Sequence, residues 1–435
     1  MSLHPQAIQP IPEQTALVAR AAFPKGSLYM KMRDELGTLY TDEDFVALYS
    51  KRGQPALAPW RLALVTIMQY VENLTDRQAA EAVRARIDWK YALGLELTDP
   101  GFDFSVLSEF RGRLVEGNTD QFLLDRMLAI FKSKKLLKAR GHQRTDSTHV
   151  LAAIRVMNRL ELVTETLRAT LNDFAAVAPD WLRSVAPAHW QERYSQRAEQ
   201  SRLPQGEKAR RDYAESVGRD GLLLLDLLGK YQPDLEKQQP DLNTLAVVQT
   251  LRQVWERHYA RSETGELLWR KDADLPRAAS ALESPYDPEA RHSNKHDLSW
   301  TGYKVHLTGT CDAELPRLIT NVHTTVATTQ DVSCTAAIQQ ELAAKDFLPS
   351  RQFVDAGYVD AALLVSSRQQ HQIELFGPAR DGQSWQAREG GYDQRQFTVD
   401  WEKQQALCPE GKSSASWGSF WTKPYNQPIV KIRFL

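Results

Sequence analysis

Two aspartates are the residues best suited to chemistry. Asp146 lies in Arg144-Thr145-Asp146-Ser147-Thr148-His149-Val150-Leu151, and Asp355 closes Gln352-Phe353-Val354-Asp355. Both runs are rich in β-branched or aromatic residues and read as short strands. Carboxylate oxygens are hard ligands that suit Mg2+ or Mn2+, so two of them at one rim of a mixed sheet can share divalent cations. A two-metal site, with ions roughly 3.5–4 Å apart, would activate a water or hydroxyl on one side of a phosphodiester and stabilise the leaving oxygen on the other. The chemistry is phosphoryl transfer to or from DNA. Either aspartate alone means little, since Asp is common at strand ends and turns for local hydrogen-bonding reasons. Their placement as a pair raises the weight of both.

The elements between them must bring the pair together. Residues 300–310 and 318–328 are β-rich runs around the turn Cys311-Asp312-Ala313 and read as a hairpin. Asp331 is expected to cap a helix running to residue 342, with a further helix over 359–367 and a strand over 372–376. Strand, hairpin, helix, strand, helix, strand is an α/β order, that of a ribonuclease H-like mixed sheet. It puts Asp146 on the first strand and Asp355 at the end of the fourth. From about 160 to 259 apolar residues recur at helical spacing, broken at Pro179, Pro187, Pro204, Pro233 and Pro240, which predicts a helical insertion outside the sheet, ending near residue 283.

The region before Asp146 is helical by the same criterion. Leu62, Val65, Ile67, Met68 and Val71 share a face, Pro59 suits the first turn of one helix, Thr75 or Asp76 can cap the next, and Ser105 can cap a third carrying Leu107, Phe110 and Leu114. Three short helices in that order suggest an all-α DNA-binding domain of helix-turn-helix type over residues 1–138, with Arg111 and Arg113 placed to read bases. An all-helical dimerisation or scaffold domain is the alternative. Lys132, Lys134, Lys135, Lys138, Arg140 and Arg144 follow one another with no acid between residues 131 and 145. Such a run is either a solvated helix end or a strip that contacts DNA phosphates.

Composition narrows the class without choosing the partner. The 435 residues are 42% hydrophobic and 25% charged, enough for two or three cored domains, and 54 Lys+Arg against 55 Asp+Glu exclude a uniformly basic histone-like binder. Cys311, Cys334 and Cys408 are too few and too dispersed for a disulfide framework or a zinc cluster, so a reducing cytoplasm is expected. The start carries no basic n-region followed by an apolar run, and the most apolar stretch, residues 221–228, is too short for a membrane span.

Several longer words, taken in order, resemble the DDE transposases of bacterial insertion sequences, in the group with an InsH-like N-terminal domain and an interrupted catalytic domain. Pro59-Trp60-Arg61-Leu62, Asp88-Trp89-Lys90-Tyr91-Ala92-Leu93-Gly94-Leu95 and Leu107-Ser108-Glu109-Phe110-Arg111-Gly112-Arg113-Leu114 look like that first domain. Thr145-Asp146-Ser147-Thr148, Ser284-Pro285-Tyr286-Asp287-Pro288-Glu289-Ala290-Arg291, Trp300-Thr301-Gly302-Tyr303-Lys304-Val305-His306-Leu307 and Val354-Asp355-Ala356-Gly357-Tyr358 look like the catalytic domain, over 139–435.

The resemblance implies that Asp146 and Asp355 are the first two acids of the triad and hold Mg2+ or Mn2+. It also implies that the protein binds the terminal inverted repeats of its element and target DNA, as a homodimer or larger assembly near the nucleoid. The third acid of such enzymes is a Glu in a Tyr-x-x-Arg-x-x-x-Glu pattern with a Lys seven residues on. Here Tyr392 and Arg395 have the opening spacing, but the Glu position is Val399. Residues 397–402 and 408–412 resemble the start of a β-rich insertion, placed at about 380–435, so the chain is expected to stop before its third metal ligand. Glu374, Asp381, Glu389, Asp393, Asp400, Glu402 and Glu410 are the acids after Asp355 that could stand in.

Other constellations carry less. His292 and His296 have the spacing of a helical zinc pair, but Pro285, Pro288, Ser293 and Asn294 predict a loop, where Arg291 and Lys295 would contact DNA phosphate. Ser147 and His149, two apart on a strand, seldom reach nucleophile-to-base geometry. No Gly-x-x-x-x-Gly-Lys loop suggests ATP use. The expected function is a DNA transposase. The alternatives are a DNA-binding remnant lacking the third acid and a metal nuclease that cuts without strand transfer.

Overall fold

A computed structural model describes residues 1–119, 121–233, 240–276, 281–295, 298–378, 392–393, 396–422 and 427–434. The chain divides into two compact units, residues 1–376 and 377–435. It is a mixed α/β protein.

The first unit opens with helices: α1 Glu13–Ala22, α2 Leu28–Leu36, α3 Pro59–Val71, α4 Asp76–Ala85, α5 Ile87–Leu93, α6 Ser105–Glu116 and α7 Phe122–Ser133. Pro59 is the first residue of α3, where its missing N–H costs no bond. Thr75 caps α4 in a reciprocal box, its N–H donating to Gln78 Oε1 at 2.9 Å while its hydroxyl accepts from Gln78 N at 3.3 Å. The start of α6 differs from expectation: Ser105 is its first residue, and Asp103 Oδ1 accepts from Ser105 N and Oγ instead. Trp60, Leu62, Val65, Met68, Trp89, Leu93, Leu107 and Phe110 form a continuous apolar core with Tyr40 and Phe45.

Strand β1 (Arg140–Leu151) follows, and the chain then leaves the sheet. Helices α8 Arg159–Val177, α9 Pro179–Val185, α10 Ala188–Tyr194, α11 Glu207–Gly229 and α12 Ala246–His258 pack round a second core of Leu167, Phe174, Val217, Leu224, Leu251 and Val254. A small antiparallel hairpin, β2 Tyr259–Arg261 with β3 Leu267–Trp269, closes this segment. The periodicity of residues 160–259 did not announce it. Among the described residues no strand from this segment joins the main sheet.

That sheet is completed by β4 Arg291–Lys295, β5 Leu298–Thr310, β6 Ile319–Val326, β7 Pro349–Phe353 and β8 Glu374–Phe376, with α13 Thr335–Ala344 before β7 and α14 Ala361–His371 after it. Its order is β6-β5-β1-β7-β8, and β4 also pairs with β5. Strand β5 runs antiparallel to both of its neighbours β6 and β1, while β1, β7 and β8 run parallel. Two readings change here. Residues 291–295 form a strand rather than a loop, because their N–H and C=O groups complete the edge of β5. Asp331 opens a 3-10 turn, Asp331–Ser333, ahead of α13 instead of capping it.

Register is held by a buried polar ladder. Gln339 of α13 donates to Gln352 Oε1 at 2.9 Å, Gln352 donates to Thr145 Oγ1 at 2.7 Å, and the Thr145 and Thr308 hydroxyls meet at 2.8 Å. Thr320 donates to Gln143 Oε1 at 3.0 Å. Every rung joins a different pair of elements, so slipping one strand by a residue would strand several buried polar groups. Gly302 serves the same alignment, since a Cβ there would lie 2.1 Å from the carbonyl oxygen of Val150. The second unit consists of two hairpins, β9 Thr398–Asp400 with β10 Gln405–Leu407, and β11 Ser416–Thr422 with β12 Gln427–Arg433.

Candidate functional site

Thr145 faces the buried ladder, so Asp146 faces the other way, onto the open side of the sheet, and is exposed. The parallel pairing of β1 with β7 runs Arg140–Pro349, His142–Arg351, Gln143–Gln352 and Arg144–Phe353. The pairing ends at Phe353, and the same register carried two residues further would bring Asp355 level with Asp146. Each carboxylate is held by one backbone donor: Asp146 Oδ1 accepts from Ser147 N at 2.8 Å and Asp355 Oδ1 from Gly357 N at 2.7 Å. The second oxygen of each has no hydrogen-bond or ion-pair partner among the described residues.

Tyr358 is buried nearby, with its hydroxyl on the face of the sheet that carries Thr145 and His306. Its hydroxyl meets His306 Nδ1 at 2.5 Å, and His306 Nε2 meets Thr325 Oγ1 at 3.2 Å. Burial raises the Tyr358 phenol far above its ordinary value, and the charges of Asp331, Asp355 and Asp146 push the same way while the Ser147 hydroxyl opposes them. Burial lowers His306 from 6.5 to about 4, with Asp331 opposing, so the imidazole is neutral at physiological pH. Asp331 is a neighbour the sequence did not suggest. A Cβ on Gly357 would sit 2.9 Å from Asp355 Oδ1 and 3.1 Å from Asp331 Oδ2, so any larger residue would push on both carboxylates. Lys304 neutralises Asp331 at 2.9 Å and also donates to the carbonyl of Thr329 at 2.7 Å. On the open face a trough of about 390 Å³ runs past Asp146, walled by Arg144, Thr148, Leu307, Arg317 and Ile319.

The acids after Asp355 that could stand in for a third ligand lie elsewhere. Glu374 is paired with Arg351 at 2.7 Å. It sits opposite Arg351 in the β7–β8 register, four residues before Asp355, hence about 13 Å away along the strands. Asp393, Asp400, Glu402 and Glu410 belong to the second unit, where Asp400 Oδ1 accepts from the backbone of Glu402 and Lys403 and Glu410 bonds Tyr392. Asp381 and Glu389 lie outside the described residues, as does His296. Among the described residues no group of three or more His, Cys, Asp or Glu side chains is placed to hold a metal ion. The pair Asp146 and Asp355 nonetheless offers the donors a hard divalent cation takes: two exposed carboxylates, each with an oxygen to spare.

The helical half bears on this directly. Residues 17–113, from within α1 to α6, match the family model described as Transposase domain (DUF772). That match supports a transposase family. No curated protein and no solved structure matches the chain. The transposase-domain match ends before β1, so both aspartates and the whole sheet lie beyond it.

Arg111 and Arg113 fall within the matched segment. Arg111 makes a two-pronged bond to Asp76 of α4, at 2.9 and 2.7 Å, and Arg113 stacks 4.9 Å over the ring of Tyr49. Lys132 reaches Asp346 at 2.5 Å, Lys134 the carbonyl of Glu35 at 2.5 Å, and Arg140 the carbonyls of His371 and Gln372. Lys135 and Lys138 have no ion-pair partner among the described residues. Arg291 donates to the carbonyls of Pro288 and Ala290, and Lys295 is exposed at the end of β4. Among the described residues no helix is long and apolar enough to cross a membrane.

Proposed function

We propose that this chain is a DDE-type DNA transposase whose ribonuclease H-like sheet holds a metal ion between Asp146 and Asp355. The observation that supports the reading is the β1–β7 register, whose continuation two residues past Phe353 would put Asp355 beside Asp146 in a sheet ordered β6-β5-β1-β7-β8. The transposase-domain match in the helical half supports it independently.

Bound there, Mg2+ or Mn2+, as one ion or two, supplies activation of an attacking water or 3' hydroxyl and stabilisation of the leaving oxygen. The chain's own groups do the rest. Ser147 N and Gly357 N fix the orientation of the two carboxylates, and Lys304 keeps the Asp331 charge from repelling a third negative group at the rim. Arg144 and Arg317 flank Asp146 with charge suited to a phosphodiester. Residues 1–138 bind the ends of the mobile element through Arg113 and, where it releases Asp76, Arg111. Lys132, Lys134, Lys135, Lys138, Arg291 and Lys295 contact phosphate, and the protein works as a dimer or larger on DNA.

The test is a cleavage and strand-transfer assay on duplex DNA carrying the sequences that flank the coding region, in Mg2+ and in Mn2+. Nicking at the element boundary and joining to a second duplex support the reading, nicking without joining points to a metal nuclease, and binding without either contradicts the enzymatic part. A DNA-binding protein without turnover is the second reading. It is favoured by the ion pair that occupies Asp331 and the distance of Glu374, which leave the aspartate pair without a third acid among the described residues.

A further inference from the structure

A cleft rich in cations lies in the helical segment between β1 and β4, outside the sheet that carries the aspartates. The first turn of α8, the first turns of α11 and the β2–β3 hairpin enclose a cleft of about 510 Å³, within the size range of small-ligand sites. Its walls carry Arg159, Arg210, Arg211, Arg270 and Lys271 against two acids, Glu207 and Asp272. Asp272 is already paired with Arg159, whose second nitrogen donates to the carbonyl of Arg270 at 3.0 Å. Arg210 makes only a long 3.5 Å contact to Asn158 Oδ1, and Lys271 is exposed with no ion-pair partner among the described residues. The cleft therefore holds a surplus of positive charge converging on one cavity.

The aromatic wall of the cleft is engaged by its own cations. Trp269 is flanked by Arg159, 4.3 Å from its ring, and by His258, nearly parallel at 17° with ring centres 5.7 Å apart, and Arg159 Nε and His258 Nδ1 meet at 3.3 Å. What the cleft offers a ligand is charge and hydrogen-bond donors. Arg159, pinned by Asp272 and Trp269, shapes the cleft, and Arg210 and Lys271 remain to meet a ligand. Arg270 shares its guanidinium, since its Nε donates to the carbonyl of Tyr259 at 2.8 Å.

We propose that this cleft binds a phosphate group, and that the phosphate is that of a DNA backbone held by the helical segment without regard to sequence. The inference rests on the reading of the chain as a DNA-acting protein and gives that reading a second binding surface.

The test uses the full chain, R210Q/K271Q, and R219Q/R252Q as a control that removes two cations of the same segment outside the cleft. Binding of a duplex of arbitrary sequence is followed by fluorescence anisotropy across a salt series, and binding of inorganic pyrophosphate by calorimetry. R210Q/K271Q is expected to bind duplex about tenfold more weakly. Its log–log salt slope should be shallower by about 0.9 for each phosphate that is no longer neutralised. It should also lose the pyrophosphate heat, while the control stays close to wild type and both variants keep the wild-type circular dichroism. Equal behaviour of R210Q/K271Q and the control, with DNA binding intact, overturns the cleft and leaves the transposase reading standing. Pyrophosphate binding that is lost in R210Q/K271Q, in a chain that does not bind DNA, keeps the phosphate site but overturns DNA as its source and the DNA reading with it. Failure to bind either probe overturns both.

Discussion

Asp146 and Asp355 face solvent with no ionic partner among the described residues, whereas most of the cations of the helical half are already engaged. Arg111 is clamped on Asp76, Lys132 on Asp346, Lys134 on a backbone carbonyl. The difference separates two kinds of functional residue. A pair of like charges set side by side is poorly satisfied until a cation arrives, which marks it as a site. An arginine or lysine with an internal partner is first a structural tie, and it serves a ligand only by giving that tie up. The acids are thus the sharper indication of function, and the basic residues have to be sorted one by one.

The largest effect should come from the acids. Asp146→Asn or Asp355→Asn is expected to lower DNA cleavage by at least about a hundredfold with the fold intact, measured by nicking of flanking-sequence duplex in Mn2+. Cleavage retained in both variants would break the contrast at its stronger end. Next is the basic strip. Changing Lys132, Lys134, Lys135 and Lys138 together to Gln should weaken binding to all duplexes alike and reduce the salt slope by about 0.9 for each phosphate left without its lysine. A slope change matching only Lys135 and Lys138 would show that the two engaged lysines are ties that never meet DNA.

Protonation supplies a third probe. His306 is buried behind the rim and lowered from 6.5 to about 4, and His258 is buried beside Trp269 and lowered to about 3. In the unfolded chain both take up protons near pH 6.5, while the fold resists until pH 4 or below. Their stabilising effect is therefore complete above about pH 6.5 and declines as pH falls towards 4. Urea midpoints should drop over that window, and less steeply in His306→Asn. The smallest effect is expected for Arg111→Ala. Loss of the half-exposed Asp76 pair should cost about 1 kcal/mol, read as a lower Tm. A change in preference among DNA sequences beyond that of Arg113→Ala would instead place Arg111 on the bases.

What was legible in the sequence follows the range of the interactions. Much of the strand and helix order, though not the β2–β3 hairpin or β4, could be read because alternation, caps and turn residues act locally, as Thr75 with Gln78 illustrates. Asp146 and Asp355 were found because each ends or interrupts a strand-like run. Asp331 was not, since nothing within a few residues of it reveals Lys304, twenty-seven positions earlier, or the missing Cβ of Gly357 that lets it approach Asp355. The same holds for β4: an Arg-His-Ser-Asn-Lys run has no strand pattern of its own and becomes a strand only because β5 offers an edge. The Gln352–Thr145–Thr308 ladder that sets the register is likewise a tertiary fact, invisible in any one of its segments.

The most direct test of the shared site is a double-mutant cycle on metal binding, with Mn2+ titrated into the full chain, D146N, D355N and the double variant and followed by electron paramagnetic resonance. Sharing predicts that each single substitution weakens Mn2+ binding at least about tenfold and that the double variant is scarcely worse than either, because one ion is lost whichever ligand goes. Wild-type Mn2+ binding in both single variants, or losses that simply multiply in the double variant, would contradict a cation held between Asp146 and Asp355.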